Sequence, residues 1–507
     1  MGMDEPNQYS RDYSQPDTNS ASEADPGTQV SRLIALVLAV VFASGIILWQ
    51  NLPEDTQYGM FGGTAPVAVT DAEHPAAGRF GSIDLPARMF IRGRKLLMSQ
   101  PDDMSEMVMD QFAVAYSPED QVRAIIMSGE YKGADSAINR IDALRIELWD
   151  VDETTLDSTS KELVLAELGG LESIYTNGPD SIEQPMREQL VARYGVLGQA
   201  ALTHGLDDDD PMRQPIVTGF GWILVLLFGM MGLVGFGFLA GMVLLILGIV
   251  NLASGKMKFR FEKPEPGGSV FLETYVLFLA GFAVLSIGLL FLSVKVNPDL
   301  RALALPLQWV LMLVPAWALL RGMKVQRWRR AIGLYSGEGV LKEIGCGIVA
   351  YIAGVPLFLF GVLISLVVLI VQSAMASGSG GPIEAPSNPI FDLISDGPVF
   401  VVVMVFVLAT VWAPITEELI FRGALFRHLR GRLHWVLAAV ISALLFAYMH
   451  SYGPLLVGPI IGLGLMFAFM RQWRGSIIAV MTAHFIHNAT IIGFMIVFIN
   501  LLKDPVI

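Results

Sequence analysis

Three short stretches near the C-terminal end hold the side chains best suited to chemistry. They are TEELIFR with Glu417, Glu418 and Arg422, LLFAYMH ending in His450, and AHFIHN with His484, His487 and Asn488. All three lie in otherwise apolar runs, where an ionised side chain costs from about 3 to more than about 10 kcal/mol. Ionisable groups kept at such cost are functional candidates. A carboxylate with two imidazoles can serve as a general base on water, with the histidines moving protons or stabilising an oxyanion. The same set, Glu417, His450 and His484, could instead hold a divalent metal that acidifies a bound water. Either route yields an activated water inside a membrane, which suits amide hydrolysis better than transport.

Spacing divides the work. Residues four apart share a helix face, so Glu418 can pair with Arg422, while Glu417 points about 100° away and is left for another task. His484 and Asn488 are also four apart, so the amide can lie beside the imidazole or share its ligand; His487 sits on a neighbouring face as an ambiguous extra. A single membrane histidine is ordinarily a hydrogen-bonded packing residue, and a lone Glu–Arg pair is ordinarily a structural clamp. Of the other four histidines, His74 and His204 fall in the polar half of the chain, and His428 and His434 flank a basic turn. Convergence of the remaining three on an unpaired glutamate is harder to ascribe to packing.

The elements that must position these groups are membrane helices. The chain is 507 residues long, 53% hydrophobic and 16% charged, with mean hydropathy +0.55, too apolar for an ordinary soluble protein. Apolar runs predict spans near 33–49, 217–252, 270–293, 304–320, 345–371, 398–420, 434–450, 456–470 and 476–500, against the ~20 residues a crossing needs. The 217–252 run is too long for one straight crossing and reads as one tilted helix or as a hairpin broken at Gly232–Gly237. The predicted class is all-α, a polytopic membrane bundle of about 9–10 transmembrane helices with an N-terminal soluble helical domain.

Four basic clusters, at 256–263, 321–330, 427–432 and 471–474, are each separated by two spans, which puts them on one side, the cytoplasmic one. At about 1.5 Å per residue, Glu417 lies roughly 15 Å from Arg427 and His484 roughly 15 Å from Arg474, but His450 lies about 27 Å beyond Arg432. The 434–450 helix must tilt, or the RHLRGR elbow must dip, if the carboxylate and both imidazoles are to meet within about 5 Å of a shared water.

The remaining organisation follows composition. Residues 1–30 are polar and read as a disordered tail, 31–50 as a retained anchor, 51–215 as an acidic, mainly helical soluble domain, 216–335 as accessory membrane helices, and 336–507 as the core with the chemistry. The net charge of −13 is local: residues 51–213 hold 29 Asp/Glu against 13 Lys/Arg. No basic stripe exists to track phosphates, which excludes nucleic acid as a partner. The surplus acid reads as a solvated surface, and the domain could also dock a protein partner. Helix starts are expected at Ser117-Pro118-Glu119, in SKELVLAELGGLESIY and in SIEQPMREQLVARYGVLGQAAL. The single cysteine, Cys346, excludes an internal disulfide and reads as a packed residue.

EELIFR (Glu417–Arg422), FAYMH (Phe446–His450) and HFIHN (His484–Asn488), in that order on successive membrane helices, resemble the CPBP family of intramembrane proteases, which includes the type II CAAX prenyl proteases and bacteriocin-immunity and lysostaphin-resistance-like proteins. AP before the acid pair, RGALF after it and the Gly-rich GPIIGLGLMFAF fit as well, and the resemblance spans roughly 340–500. It implies an intramembrane endopeptidase of the glutamic or metallo type. Glu417 would activate water, His450 would assist, His484 and Asn488 would stabilise the oxyanion, and Glu418 and Arg422 would support the site. It leaves the cofactor as none required, or zinc on Glu417, His450 and His484. The implied substrate is a membrane-associated peptide or protein segment within a bilayer, here of bacterial cytoplasmic type. The alternatives are a non-catalytic immunity or scaffolding protein of the same fold, which should have lost a catalytic position, and a secondary transporter, which should show matched internal halves.

Overall fold

The computed structural model describes residues 24–63, 84–97, 118–150, 158–377, 390, 393–394, 397–450 and 453–502. All regular elements among them are helical. Most of the tail expected at 1–30, part of the loop region expected before Pro86, and Met104–Ser117 lie outside the described residues. The described residues fall into two compact units, one from within 1–65, 236–383 and 407–489, the other from within 66–235, 384–406 and 490–507.

The first unit opens with α1 (Gln29–Gln50). Thr28 caps it: its hydroxyl accepts from the Ser31 N–H at 3.1 Å, and the Ser31 hydroxyl accepts from the Thr28 N–H at 2.9 Å, a reciprocal box that satisfies two otherwise orphaned donors. Ala35, Ala39, Ala43 and Ile46 form its buried stripe, and α1 packs on the run Val270–Lys295 (its first helix, Val270–Ala283, is α3 below). Small residues there allow close approach of helices where no hydrophobic effect drives association.

The long apolar run after the soluble region is α2 (Phe220–Ala253), one continuous helix of 34 residues. The hairpin alternative at Gly232–Gly237 is therefore not taken, since both glycines lie within the helix. Helix α3 (Val270–Ala283) continues through a π turn at Val284–Gly288 to Lys295. Leu300–Leu320 is apolar but largely 3₁₀, with Pro315 inside it, because proline cannot return the helical N–H. Then come α4 (Val340–Ser377), the run α5 (Val399–Arg430), α6 (Trp435–Tyr448), α7 (Gly453–Arg474) and α8 (Ile478–Leu502).

Seven of the described helices are long and apolar enough to cross a membrane. The two further spans expected, 434–450 and 456–470, correspond to α6, with only 14 residues, and α7. Helices α4 and α7 meet at bare backbone: a Cβ added to Gly361 would stand 2.5 Å from the Gly458 carbonyl, and one on Gly458 2.5 Å from the Gly361 carbonyl. The elbow before α6 is drawn into the protein. His428 and Arg430 are buried, Arg430 donates to Gln472 at 2.9 Å, and Arg432 donates to the Gly267 and Gly268 carbonyls. A buried elbow and an α6 of only about 21 Å shorten the climb expected for His450.

The second unit is the acidic helical region. Its helices include Asp84–Leu97, Pro118–Lys132, Ala134–Asp150, Ser158–Asn177, Gln184–Tyr194 and Val196–Leu202. The breaks at Gly133 and Gly195 have positive φ (89° and 54°), where a side chain would be strained. Ile125, Leu144, Leu168, Leu171 and Leu197 lie in its core. Two of its acids do not share the solvated role expected of the surplus. Glu130 is buried against Arg213 at 2.5 Å, and Glu167 accepts from the Tyr194 hydroxyl at 2.6 Å.

Candidate active site

The acid pair sits in an irregular part of α5. A π turn at Leu408–Trp412 precedes a short α stretch, Ala413–Glu417, and a second π stretch runs from Glu418 to Leu425. Such widened turns cost regular hydrogen bonding and occur mostly at functional positions. The sequence reason is Pro414, which has no N–H to return to the preceding turn. Ala409, five residues before it, gives its carbonyl instead to the Asn488 amide, which donates at 2.7 Å. Asn488 thus braces the backbone that leads into the acid pair. Its amide donor is taken up by Ala409, a partner that the i,i+4 spacing did not reveal.

Glu418 and Arg422 are fully buried and paired, Arg422 Nη1 donating to Glu418 Oε1 at 3.1 Å. The same oxygen accepts from His484 Nδ1 at 2.7 Å, a link between helices that the spacing argument missed. Arg422 also reaches the Gly464 carbonyl at 3.3 Å and lies over the rings of Phe446 (4.2 Å) and Phe467 (5.1 Å). Phe467 stacks on His484, with centroids 5.1 Å apart, and Phe446 meets His450 at 4.6 Å. These two phenylalanines wall the site, and each cation over a ring adds an electrostatic attraction that grows with desolvation.

Glu417 stands apart from this pair. Its Oε2 is 3.8 Å from His450 Nε2 and 3.9 Å from His484 Nε2, and the atom is buried without a hydrogen-bond partner among the described residues. The carboxylate and both imidazoles therefore converge closer than the 5 Å expected from sequence. His487 turns elsewhere: its Nδ1 is 3.4 Å from the Tyr351 hydroxyl and its ring is 5.2 Å from Phe358, both on α4.

The partners assign the tautomers. His450 Nδ1 lies 2.7 Å from the Phe446 carbonyl, so it carries the proton and donates. His484 Nδ1 faces a carboxylate, so it too is the donor. In the neutral rings both Nε2 atoms are then acceptors, aimed at a third acceptor, Glu417 Oε2. Separations of 3.8 and 3.9 Å are too long for direct hydrogen bonds and are of the size that one water bridges between the carboxylate and a ring nitrogen. Zinc fits less well. Adjacent ligands of a tetrahedral zinc at about 2.0–2.2 Å lie only about 3.4 Å apart, and among the described residues no three His, Cys, Asp or Glu side chains are grouped to hold a metal.

Residues 399–490 match the family model of type II CAAX prenyl endopeptidases, Rce1-like. This stretch is similar to that family's domain. It is consistent with a CPBP family intramembrane protease, and it runs from the start of α5 through Asn488 on α8, enclosing all three motifs. No curated protein matches the chain, and no solved structure does. The Rce1-like domain supports intramembrane endopeptidase activity at the level of the family, in an integral membrane protein.

Proposed function

We propose that this protein is an intramembrane endopeptidase that hydrolyses a peptide bond of a membrane-associated substrate with a water held by Glu417, His450 and His484. The observation that carries the reading is the buried, unpartnered Oε2 of Glu417 with two imidazole Nε2 atoms within 3.9 Å. Buried polar atoms normally have partners, and a bridging water can donate one hydrogen to Glu417 and the other to His450, with His484 Nε2 facing it as a donor once that ring is protonated.

The roles follow from the wiring. Glu417 takes a proton from the water as its oxygen attacks the substrate carbonyl carbon. His450 Nδ1 faces the Phe446 carbonyl, so its Nε2 is the acceptor for the water's second hydrogen. His484 has the Glu418 carboxylate behind it, so it is the ring that can carry a second proton and donate from Nε2 to the developing oxyanion. When the tetrahedral intermediate collapses, the C–N bond breaks and the proton on Glu417 passes to the leaving amine. Asn488 is a positioning residue that acts through Ala409. No step uses a metal.

The orientation we favour puts the basic clusters in the cytoplasm. Asp25, just before α1, pairs with Arg427 in one of those clusters, so α1 starts on that side. With α1 and the continuous α2 each crossing once, residues 51–213 lie outside. The test is cleavage of membrane substrates by purified protein carrying Glu417→Gln: loss of cleavage with an intact fold supports the reading, and full retention overturns it. A scaffolding protein would tolerate the change.

A further inference from the structure

The residues just before α1 make a second, unrelated constellation. The Asp25 carboxylate lies across the Arg427 guanidinium as a fork, Nε–Oδ2 3.1 Å and Nη2–Oδ1 3.0 Å, with Arg327 3.7 Å from Oδ1. The Ala24 carbonyl accepts from Arg327 at 2.9 Å. The Pro26 carbonyl accepts from the N–H groups of Ser269 and Val270, at 2.9 and 3.1 Å, where α3 begins. Three consecutive residues thus present acceptors to donors on Arg427, Arg327 and the first N–H groups of α3, with the Glu273 carboxylate held aside by the Ser269 hydroxyl. Arg427 is further held over the Phe271 ring at 5.4 Å, and Arg432 and His428 line a shallow recess beside the carboxylate. The other carboxylate at that recess, Glu265, is exposed.

The strap passes at backbone contact distance. Gly27 (φ +115°) and Gly268 (φ +51°) face this crossing, and a Cβ on either would stand within about 2 Å of Ser269 Oγ or the Asp25 carbonyl. The seat therefore needs no side chain from the strap except the carboxylate. A planar guanidinium fork with helix N-terminal N–H groups is the donor set that binds phosphate and carboxylate alike. The site also stands at the polar ends of apolar helices, with Asp25 four residues before α1 begins at Gln29 and the donors at the first turn of α3, the position at which lipid headgroups would meet a spanning helix.

We propose that Arg427, Arg327 and the first N–H groups of α3 form an anion site that Asp25 closes as an intramolecular latch and that takes a phosphate group, supplied by an anionic lipid, when the latch withdraws. This stands independently of the hydrolytic reading. Hydrogen–deuterium exchange on the full-length wild-type chain should show faster exchange at residues 24–28 in phosphatidylglycerol-containing nanodiscs than in pure phosphatidylcholine. In detergent without lipid, inorganic phosphate should raise the melting temperature of Asp25→Asn, and adding Arg427→Gln should weaken that response about tenfold. A response to phosphate without one to phosphatidylglycerol would keep the site and make free phosphate its ligand. If neither moves the strap or the melting temperature, the latch is only a structural clamp and the proposal fails. The exchange measurement needs no variant, so a misfolded Asp25→Asn would not rescue it.

Discussion

His484 Nδ1 lies 2.7 Å from Glu418 Oε1, and that same oxygen accepts from Arg422 at 3.1 Å. One carboxylate oxygen therefore serves both the clamp within α5 and the histidine on α8. The two neighbouring acids are separated by their partners, which makes them distinguishable by mutation.

Glu417→Gln keeps the shape of the side chain but removes the base. Cleavage should fall about 100- to 10,000-fold, with the melting temperature near wild type. Glu418→Gln should instead lower the melting temperature sharply, because breaking a buried pair leaves the Arg422 charge uncompensated at about 3–5 kcal/mol. Parallel thermal unfolding and proteolysis assays separate the two, and equal stability losses would contradict the assignment.

Asn488→Asp retains size but replaces the amide donor that Ala409 needs. We expect kcat to drop about tenfold, the scale of one lost hydrogen bond, with KM little changed. A rise in KM alone would mean that Asn488 touches substrate instead of bracing α5.

Chelation should leave cleavage intact, and purified active protein should contain no stoichiometric zinc. Loss of activity on dialysis against a chelator, restored by zinc, would show that the imidazoles close around an ion and would remove the water-only scheme.

Acid should act at the loop before α4. Hydrogen bonding from Arg474, helped by Arg260 and Lys342, holds the Glu338 carboxyl at about 2. A depressed acid adds stability that is present above its ordinary value of about 4.3 and lost as pH falls toward the folded value. Melting temperature should thus decline between about pH 4.5 and 2, and Glu338→Gln should flatten that part of the profile. An unchanged slope in the variant would assign the acid sensitivity elsewhere.

The sequence carried the helical class, the candidate spans and the three motifs, because apolar periodicity and i,i+4 spacing are local properties. It located the Glu418–Arg422 pair for the same reason. It could not reveal that His484 shares that oxygen, since 66 residues separate the two and only packing brings them together. Pro414 was visible, but its effect on Ala409 needs the π turn and a side chain from another helix. The acid pairs of the soluble region were hidden likewise: Glu130 and Arg213 are 83 residues apart, and composition alone gave the acids to the surface. The length of 217–252 posed a question that only the unbroken α2 answers.

That unbroken helix bears on the surrounding lipid. At about 1.5 Å per residue, α2 extends roughly 51 Å, against a hydrocarbon core of about 30 Å. Trp222 near one end and Ile249 and Val250 near the other are all exposed, so both ends present apolar side chains outward. Such a mismatch is relieved by leaning or by thickening the adjacent bilayer, at fractions of a kcal/mol per Å. The protein should consequently partition toward the thicker membrane when offered bilayers of different acyl length.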